Sequence, residues 1–118
     1  MAGKIEHHAL PRASFQNEPK VLIVVAPYYQ PISENLLKGA KTEILASHGT
    51  FDIVEVPGAL EIATAIGIAE RLEKFDAYVA LGCVIRGETT HYETVCNDSS
   101  RGLTLLGLQG LCIGNGIL

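Results

Sequence analysis

Buried strands alternating with helical segments predict an α/β fold: a three-layer α/β/α sandwich around a four-stranded, doubly wound parallel sheet. Two observations carry this. Lys20–Ala26 and Ala77–Ile85 are apolar runs without polar alternation, the pattern of strands covered on both faces. Between such runs lie segments whose apolar residues recur at helical spacing, so the order reads βαβαβαβ and requires right-handed crossovers. A chain of 118 residues accommodates one such domain. Residues 1–19 are polar and aperiodic, an N-terminal arm, and residues 20–118 form the domain.

The first strand, Lys20–Ala26, ends at Pro27. Ser33 is placed to cap the helix that follows, with Ile32 and Leu37 at the two positions of a hydrophobic staple. Leu36, Leu37, Ala40, Ile44 and Leu45 keep helical spacing until His48-Gly49 stops it. Phe51–Val56 reads as a second strand, closed by Pro57-Gly58. From Ala59 to Leu72 the helix has almost no polar side in its first three turns, and a helix apolar all round is buried all round. One sheet cannot cover it, so a neighbouring subunit is expected on its far side. After the strand Ala77–Ile85, Thr90 opens a helix with Glu93 three residues on, a capping box. Its apolar stripe runs through Leu103 and Leu106 until Gly107 and Gly110 break it. Leu111–Ile113 and Ile117-Leu118 form a fourth strand interrupted by Gly114-Asn115-Gly116. The chain stops at that strand, so another subunit or further residues are expected to cover it.

Composition excludes several classes. A hydrophobic fraction of 47% against 19% charged is globular, not disordered. Nine Lys+Arg against thirteen Asp+Glu, a net charge of −4, leave no basic field for nucleic acid. Apolar runs such as Val21–Pro27 fall far short of the roughly 20 residues of a spanning helix. The first twenty residues mix charges with Pro11, unlike a signal peptide, so a soluble, cytoplasmic protein is expected. Cys83, Cys96 and Cys112 show no metal-ligand spacing and are expected to be free thiols, the first and last behaving as small hydrophobes in apolar runs.

In open parallel sheets, ligands gather at the carboxyl ends of the strands. Four segments are predicted to meet there: Ala26–Tyr29, Val56–Glu61, Gly82–His91 and Gly114–Gly116. Gly87-Glu88-Thr89-Thr90 joins a strand to a helix, where hydroxyls and backbone N–H groups suit a single phosphate. It is no dinucleotide fingerprint, because neither GxGxxG nor GxxxxGK[ST] is present. His91 falls in the first turn of that helix, whose positive end disfavours imidazolium, so the ring is suited to shuttling protons. Taken by type alone, a helix-surface histidine with no task is the commoner outcome, and His7, His8 and His48 are read so. Glu61 is the single charge in its helix before Glu70, fit either to complement the helix end or to meet a ligand hydroxyl. Tyr28 and Tyr29 offer aromatic faces to a flat heterocycle, or ordinary packing. Arg86 is expected to form a local or intersubunit ion pair beside Glu88.

Together, Val56-Pro-Gly-Ala-Leu-Glu-Ile62, Ala80-Leu-Gly-Cys-Val-Ile-Arg-Gly-Glu-Thr-Thr-His-Tyr92, Val95-Cys-Asn97 and Ile113-Gly-Asn-Gly-Ile-Leu118 resemble the lumazine synthase family, in order and spacing, from about Lys20 to Leu118. The resemblance implies a flavodoxin-like strand order. It also implies condensation of 5-amino-6-(D-ribitylamino)uracil with 3,4-dihydroxy-2-butanone 4-phosphate to 6,7-dimethyl-8-ribityllumazine, phosphate and water, without cofactor or metal. By position, Tyr28 would stack on the pyrimidine, and Ala59, Leu60 and Glu61 would hold the ribityl chain. Cys83, Val84 and Ile85 would line the pyrimidine edge, mainly through main-chain atoms. Glu88 and Thr89 would receive the phosphate, and His91 would transfer protons. Asn115 would close the ring site of a neighbouring subunit. Relatives assemble from pentamers with active sites between subunits, so a homo-oligomer is implied.

Two features depart from the family pattern. Its members continue past Leu118 into helices carrying an arginine and a lysine near the site, so this sequence is expected to be a piece of a longer chain. Leu60 and Asn115 stand where aromatics are frequent, which loosens stacking and leaves the chemistry alone. The competing readings are a non-catalytic lumazine- or flavin-binding assembly protein and, last, a flavodoxin-like electron carrier. The latter needs a Ser/Thr phosphate loop after the first strand, and Pro27-Tyr28-Tyr29 is none.

Overall fold

A computed structural model describes residues 10–87 and 90–118. Its four strands are β1 (Lys20–Val25), β2 (Thr50–Glu55), β3 (Ala77–Gly82) and β4 (Ile113–Ile117), all parallel in the order β2-β1-β3-β4. Helix α1 (Gln30–Ala46) covers one face; a 3-10 turn (Ala59–Glu61), α2 (Ile62–Leu72) and α3 (His91–Leu108) cover the other. This is the predicted three-layer sandwich with flavodoxin-like order.

The alternation of side chains along β1 builds two cores. Leu22, Val24 and Ala26 pack with Ile62, Ile66, Val95 and Leu103 beneath α2 and α3. Ile23 and Val25, both wholly buried, meet Leu36, Leu37, Ala40 and Ile44 of α1. Between α2 and α3 the backbones come close at Gly102, where a Cβ would stand 2.8 Å from that of Ala63. No helix among the described residues is long and apolar enough to cross a membrane.

Several local expectations need correction. Helix α1 starts at Gln30, three residues before the predicted cap, because Pro31 fits a first turn whose N–H groups have no helical acceptor anyway. Ser33 is therefore inside the helix: its N–H donates to the Tyr29 carbonyl at 2.9 Å, and the Ile32–Leu37 staple does not arise. Thr90 does precede α3, but its backbone (φ −78°, ψ 3°) is not extended, and its hydroxyl caps nothing. Strand β3 ends at Gly82 instead of Ile85, and α3 passes through Gly107 to Leu108, with Gly110 just beyond its cap at a φ of +96° that suits glycine. Gly114-Asn115-Gly116 does not interrupt β4; it pairs with Val79, Ala80 and Leu81 inside the strand. Cys112 is exposed just before β4, whereas Cys83 is half-buried, and all three thiols are free. The all-round burial predicted for α2 is not met within one chain: Ile62 and Ile66 are buried, while Ile68 is 52% and Leu72 80% exposed.

Of the predicted arm, residues 1–9 lie outside the described set, and residues 10–19 lack regular structure. Arg12 pairs with Glu43 of α1 through two hydrogen bonds of 2.9 and 3.1 Å, which holds the Glu43 carboxyl below its usual range.

The end of α1 was legible and carries a prediction. His48 N–H donates to the Leu45 carbonyl and Gly49 N–H to that of Ile44, while His48 takes a left-handed φ of 61°. An L-residue pays steric strain there that glycine avoids, offset in part by glycine's greater freedom when unfolded. His48→Gly is expected to raise stability by about 0.5–1 kcal/mol in urea unfolding; a decrease would show that the histidine ring makes a compensating contact.

Candidate active site

The sheet's crossovers change direction between β1 and β3. The segment after β1 turns to α1 on one face, whereas the segment after β3 leads to α3 on the other. The carboxyl ends of these adjacent strands diverge into a crevice, the usual ligand position in an open α/β sheet. Here a cleft of about 360 Å³ opens, lined by Tyr28 and Tyr29 after β1, Pro57–Glu61 after β2, Cys83–Ile85 after β3, and His91 and Val95 of α3.

Each wall has a local cause. Ala26 N–H donates to the Leu81 carbonyl at 2.9 Å, holding the start of the tyrosine segment against β3. The two rings meet edge to face, centroids 4.9 Å apart, with Tyr28 72% exposed and Tyr29 half-buried against it. Pro57-Gly58 turns the chain into the 3-10 turn, where Glu61 N–H donates to the Gly58 carbonyl at 3.1 Å. Ala59 is buried as the foot of this wall; Leu60 and Glu61 face outward. Val84 N–H donates to the Leu118 carbonyl at 2.8 Å, fixing the third wall to the end of β4. His91, exposed as the first residue of α3, stands at the mouth, and Val95 one turn later roots that helix in the core.

The Glu61 carboxylate folds back over Gly58, whose Cβ, if it had one, would lie 3.1 Å from Oε1. Gly58→Ala must push that carboxylate off its position. The expected result is weaker binding of a polyhydroxylated ligand with little change in melting temperature, because the displaced group is the end of a flexible, exposed side chain. Unchanged affinity would remove Glu61 from the ligand's partners.

Of the residues singled out from sequence, Tyr28, Ala59, Leu60, Glu61, Cys83, Val84, Ile85 and His91 converge on this one cleft. Glu88 and Thr89 lie outside the described residues. Arg86 forms a local ion pair, as expected, and its partner is Glu93. Asn115 is not at the strand ends, as predicted, but opposite Ala80 in β4, where its Oδ1 accepts from the Ile117 N–H at 3.0 Å. Sequence reasoning missed Val95 as a lining residue, although it was accessible from its i+4 relation to His91.

A larger groove of about 680 Å³ opens at the opposite end of the sheet, between residues 14–19 and the ends of α1, β3 and β4. Two of its carboxylates are already engaged, Glu43 by Arg12 and Asp76 by the Lys20 backbone N–H at 2.7 Å. The strand-end cleft is the better site on chemistry, combining aromatic faces, a carboxylate, an imidazole and main-chain edges. Among the described residues, no group of three or more His, Cys, Asp or Glu is placed to hold a metal ion.

Comparison with known proteins agrees with this geometry. Residues 18–118 match the family model described as 6,7-dimethyl-8-ribityllumazine synthase. The 6,7-dimethyl-8-ribityllumazine synthase of Jannaschia sp. (strain CCS1) is 55% identical over 118 residues, covering 100% of this chain and 66% of the relative. Those of Bartonella tribocorum (52% identical; 87% of this chain, 70% of the relative) and Bartonella henselae (56%; 83% and 65%) are similar. The chain thus spans about two thirds of the length of these relatives. With the strand order, the strand-end cleft and this match in agreement, the chain belongs to the 6,7-dimethyl-8-ribityllumazine synthase family, enzymes of riboflavin biosynthesis.

Proposed function

We propose that this protein condenses 5-amino-6-(D-ribitylamino)uracil with 3,4-dihydroxy-2-butanone 4-phosphate in the cleft between β1 and β3. The observation that carries the reading is the convergence of Tyr28, Glu61, the Cys83–Ile85 segment and His91, from four separate stretches of chain, on one crevice. Tyr28 supplies a face for the pyrimidine, and the main chain of Cys83, Val84 and Ile85 reads its edge. Ala59, Leu60 and Glu61 take the ribityl hydroxyls. Glu88 and Thr89 bind the phosphate ahead of the α3 N-terminus.

The 5-amino nitrogen attacks the ketone carbon, and a first water leaves as the imine forms. Loss of a proton from carbon then expels phosphate, and the enol left behind becomes a carbonyl. The ribityl-bearing nitrogen attacks that carbonyl, and a second water leaves as the ring closes. His91 accepts and returns the protons that these steps move. Holding two reactants in register supplies up to about 7–11 kcal/mol in favourable cases. A positioned imidazole adds about 10²–10⁴-fold. Few reactive side chains are then required, and the reaction as written uses no cofactor or metal.

The same reading makes the protein a cytoplasmic homo-oligomer built from pentamers, with each site completed by a neighbour, and with neither nucleic acid nor membrane as partner. The exposed Ile68 and Leu72 on α2 support a covering subunit. So does Asn115, exposed on the edge strand β4, from which it would reach a neighbouring site. Incubating the purified protein with both substrates and following lumazine fluorescence tests the function. Product formation is expected; tight pyrimidine binding without product would instead favour a non-catalytic binding assembly.

A further inference from the structure

The first turn of α3 is gripped by an arrangement that the expected capping box does not supply. Val84 N–H is anchored on Leu118, and α3 resumes regular bonding with Thr94 N–H donating to the Thr90 carbonyl at 3.2 Å. Between them, Ile85 is 54% exposed, and a Cβ added at Gly87 would meet nothing within 4 Å. Thr90 leaves the helix without a side-chain cap, and Glu93, the other half of the expected box, points elsewhere. Its carboxylate pairs with the Arg86 guanidinium, which also lies 4.5 Å from the centroid of the Tyr92 ring. Arg86 therefore grips two consecutive residues of the first turn of α3 from the far side of the turn. One grip is an ion pair and the other sets the guanidinium near a ring face, where it is not interchangeable with a lysine ammonium.

The geometry points to Arg86 as a positioning residue: through Glu93 and Tyr92 it sets His91 at a fixed distance from the Cys83–Ile85 wall of the cleft. The inference rests on the reading of that cleft as the condensing site. Arg86 and Glu93 side chains are 67% and 47% exposed, so the clasp contributes little to global stability. Its effect falls on local order, and a displacement of about 1 Å at a reacting centre is enough to cost roughly 100-fold in rate.

Arg86→Ala, Arg86→Lys and Glu93→Ala test this with two readouts. Steady-state kinetics and pyrimidine binding form the first; amide exchange across residues 84–92 forms the second. Arg86→Ala and Glu93→Ala are each expected to lower kcat roughly 10- to 100-fold with near-wild-type pyrimidine affinity and melting temperature. Both should speed exchange across the turn. Arg86→Lys, keeping the ion pair but not the guanidinium beside the Tyr92 ring, should recover part of the rate. Wild-type kcat and exchange in Arg86→Ala would overturn the proposal, and so would loss of kcat and pyrimidine affinity in equal measure. A slow Arg86→Ala beside a normal Glu93→Ala would also overturn it, by showing that the guanidinium acts on substrate directly. If the wild-type protein forms no lumazine, the reading of the cleft fails, and the exchange measurement alone decides the clasp.

Discussion

Replacing His91 by alanine is expected to slow lumazine formation about 10²–10⁴-fold while leaving pyrimidine affinity near the wild-type value. The split follows from where the residue stands. Tyr28, the Pro57–Glu61 turn and the Cys83–Ile85 segment form the walls that meet the pyrimidine and its ribityl chain, and none belongs to α3. His91 is the first residue of α3, on the side from which the second substrate enters in the proposed arrangement. Its loss removes a proton carrier and leaves those walls intact, because Val95 and Leu103 root the helix in the core. Steady-state kinetics beside equilibrium binding checks this. A His91→Ala protein with full kcat would assign proton transfer to solvent or another group, and one that no longer binds pyrimidine would make the ring a binding contact.

The largest stability effect is expected at Ile62. It is wholly buried and begins α2 directly after the 3-10 turn that carries Glu61. Its Cδ1 would lie 3.7 Å from a Cβ at Gly82, the last residue of β3, so it packs beneath the cleft. Ile62→Ala leaves a void that the rigid strands on one side and α3 on the other cannot close, at a cost of about 2–5 kcal/mol. Against the roughly 5–15 kcal/mol that holds a typical small domain together, that is a large fraction. Urea unfolding should show a lower midpoint with an unchanged slope. A loss well under 1 kcal/mol would mean that the site collapses around the smaller side chain.

What the sequence revealed, and what it hid, divides along a physical line. The strands of the centre, β1 and β3, were plain because burial on both faces leaves no polar alternation to confuse the pattern. The segments Val56–Glu61 and Gly82–His91 were legible as neighbours because topology sends strand ends to one rim; the choice of residues 59–61 and 83–85 within them came from the family resemblance. The caps were not legible. Ser33 and Thr90 have the right side chains, but Pro31 moved one helix start and the Thr90 backbone conformation disarmed the other. Gly114-Asn115-Gly116 misled for a related reason. Low strand propensity argues for a break, yet backbone pairing to β3 overrides it on an edge strand. There the Asn115 side chain accepts the outward Ile117 N–H that the sheet leaves unpaired. Propensity describes a residue by itself, and these outcomes were decided by neighbours.

Strand β1 has a consequence beyond holding the sheet's centre. Its odd-numbered residues Ile23 and Val25 belong to one hydrophobic cluster and its even-numbered Leu22, Val24 and Ala26 to the other, so a single ribbon is the common partition of both. Loss of either helical layer uncovers one face of the strand on which the other layer also packs, so the two layers are coupled through the same backbone. Damage that starts behind the substrate crevice is thereby felt on the far side of the molecule, and the domain stands or falls as one unit.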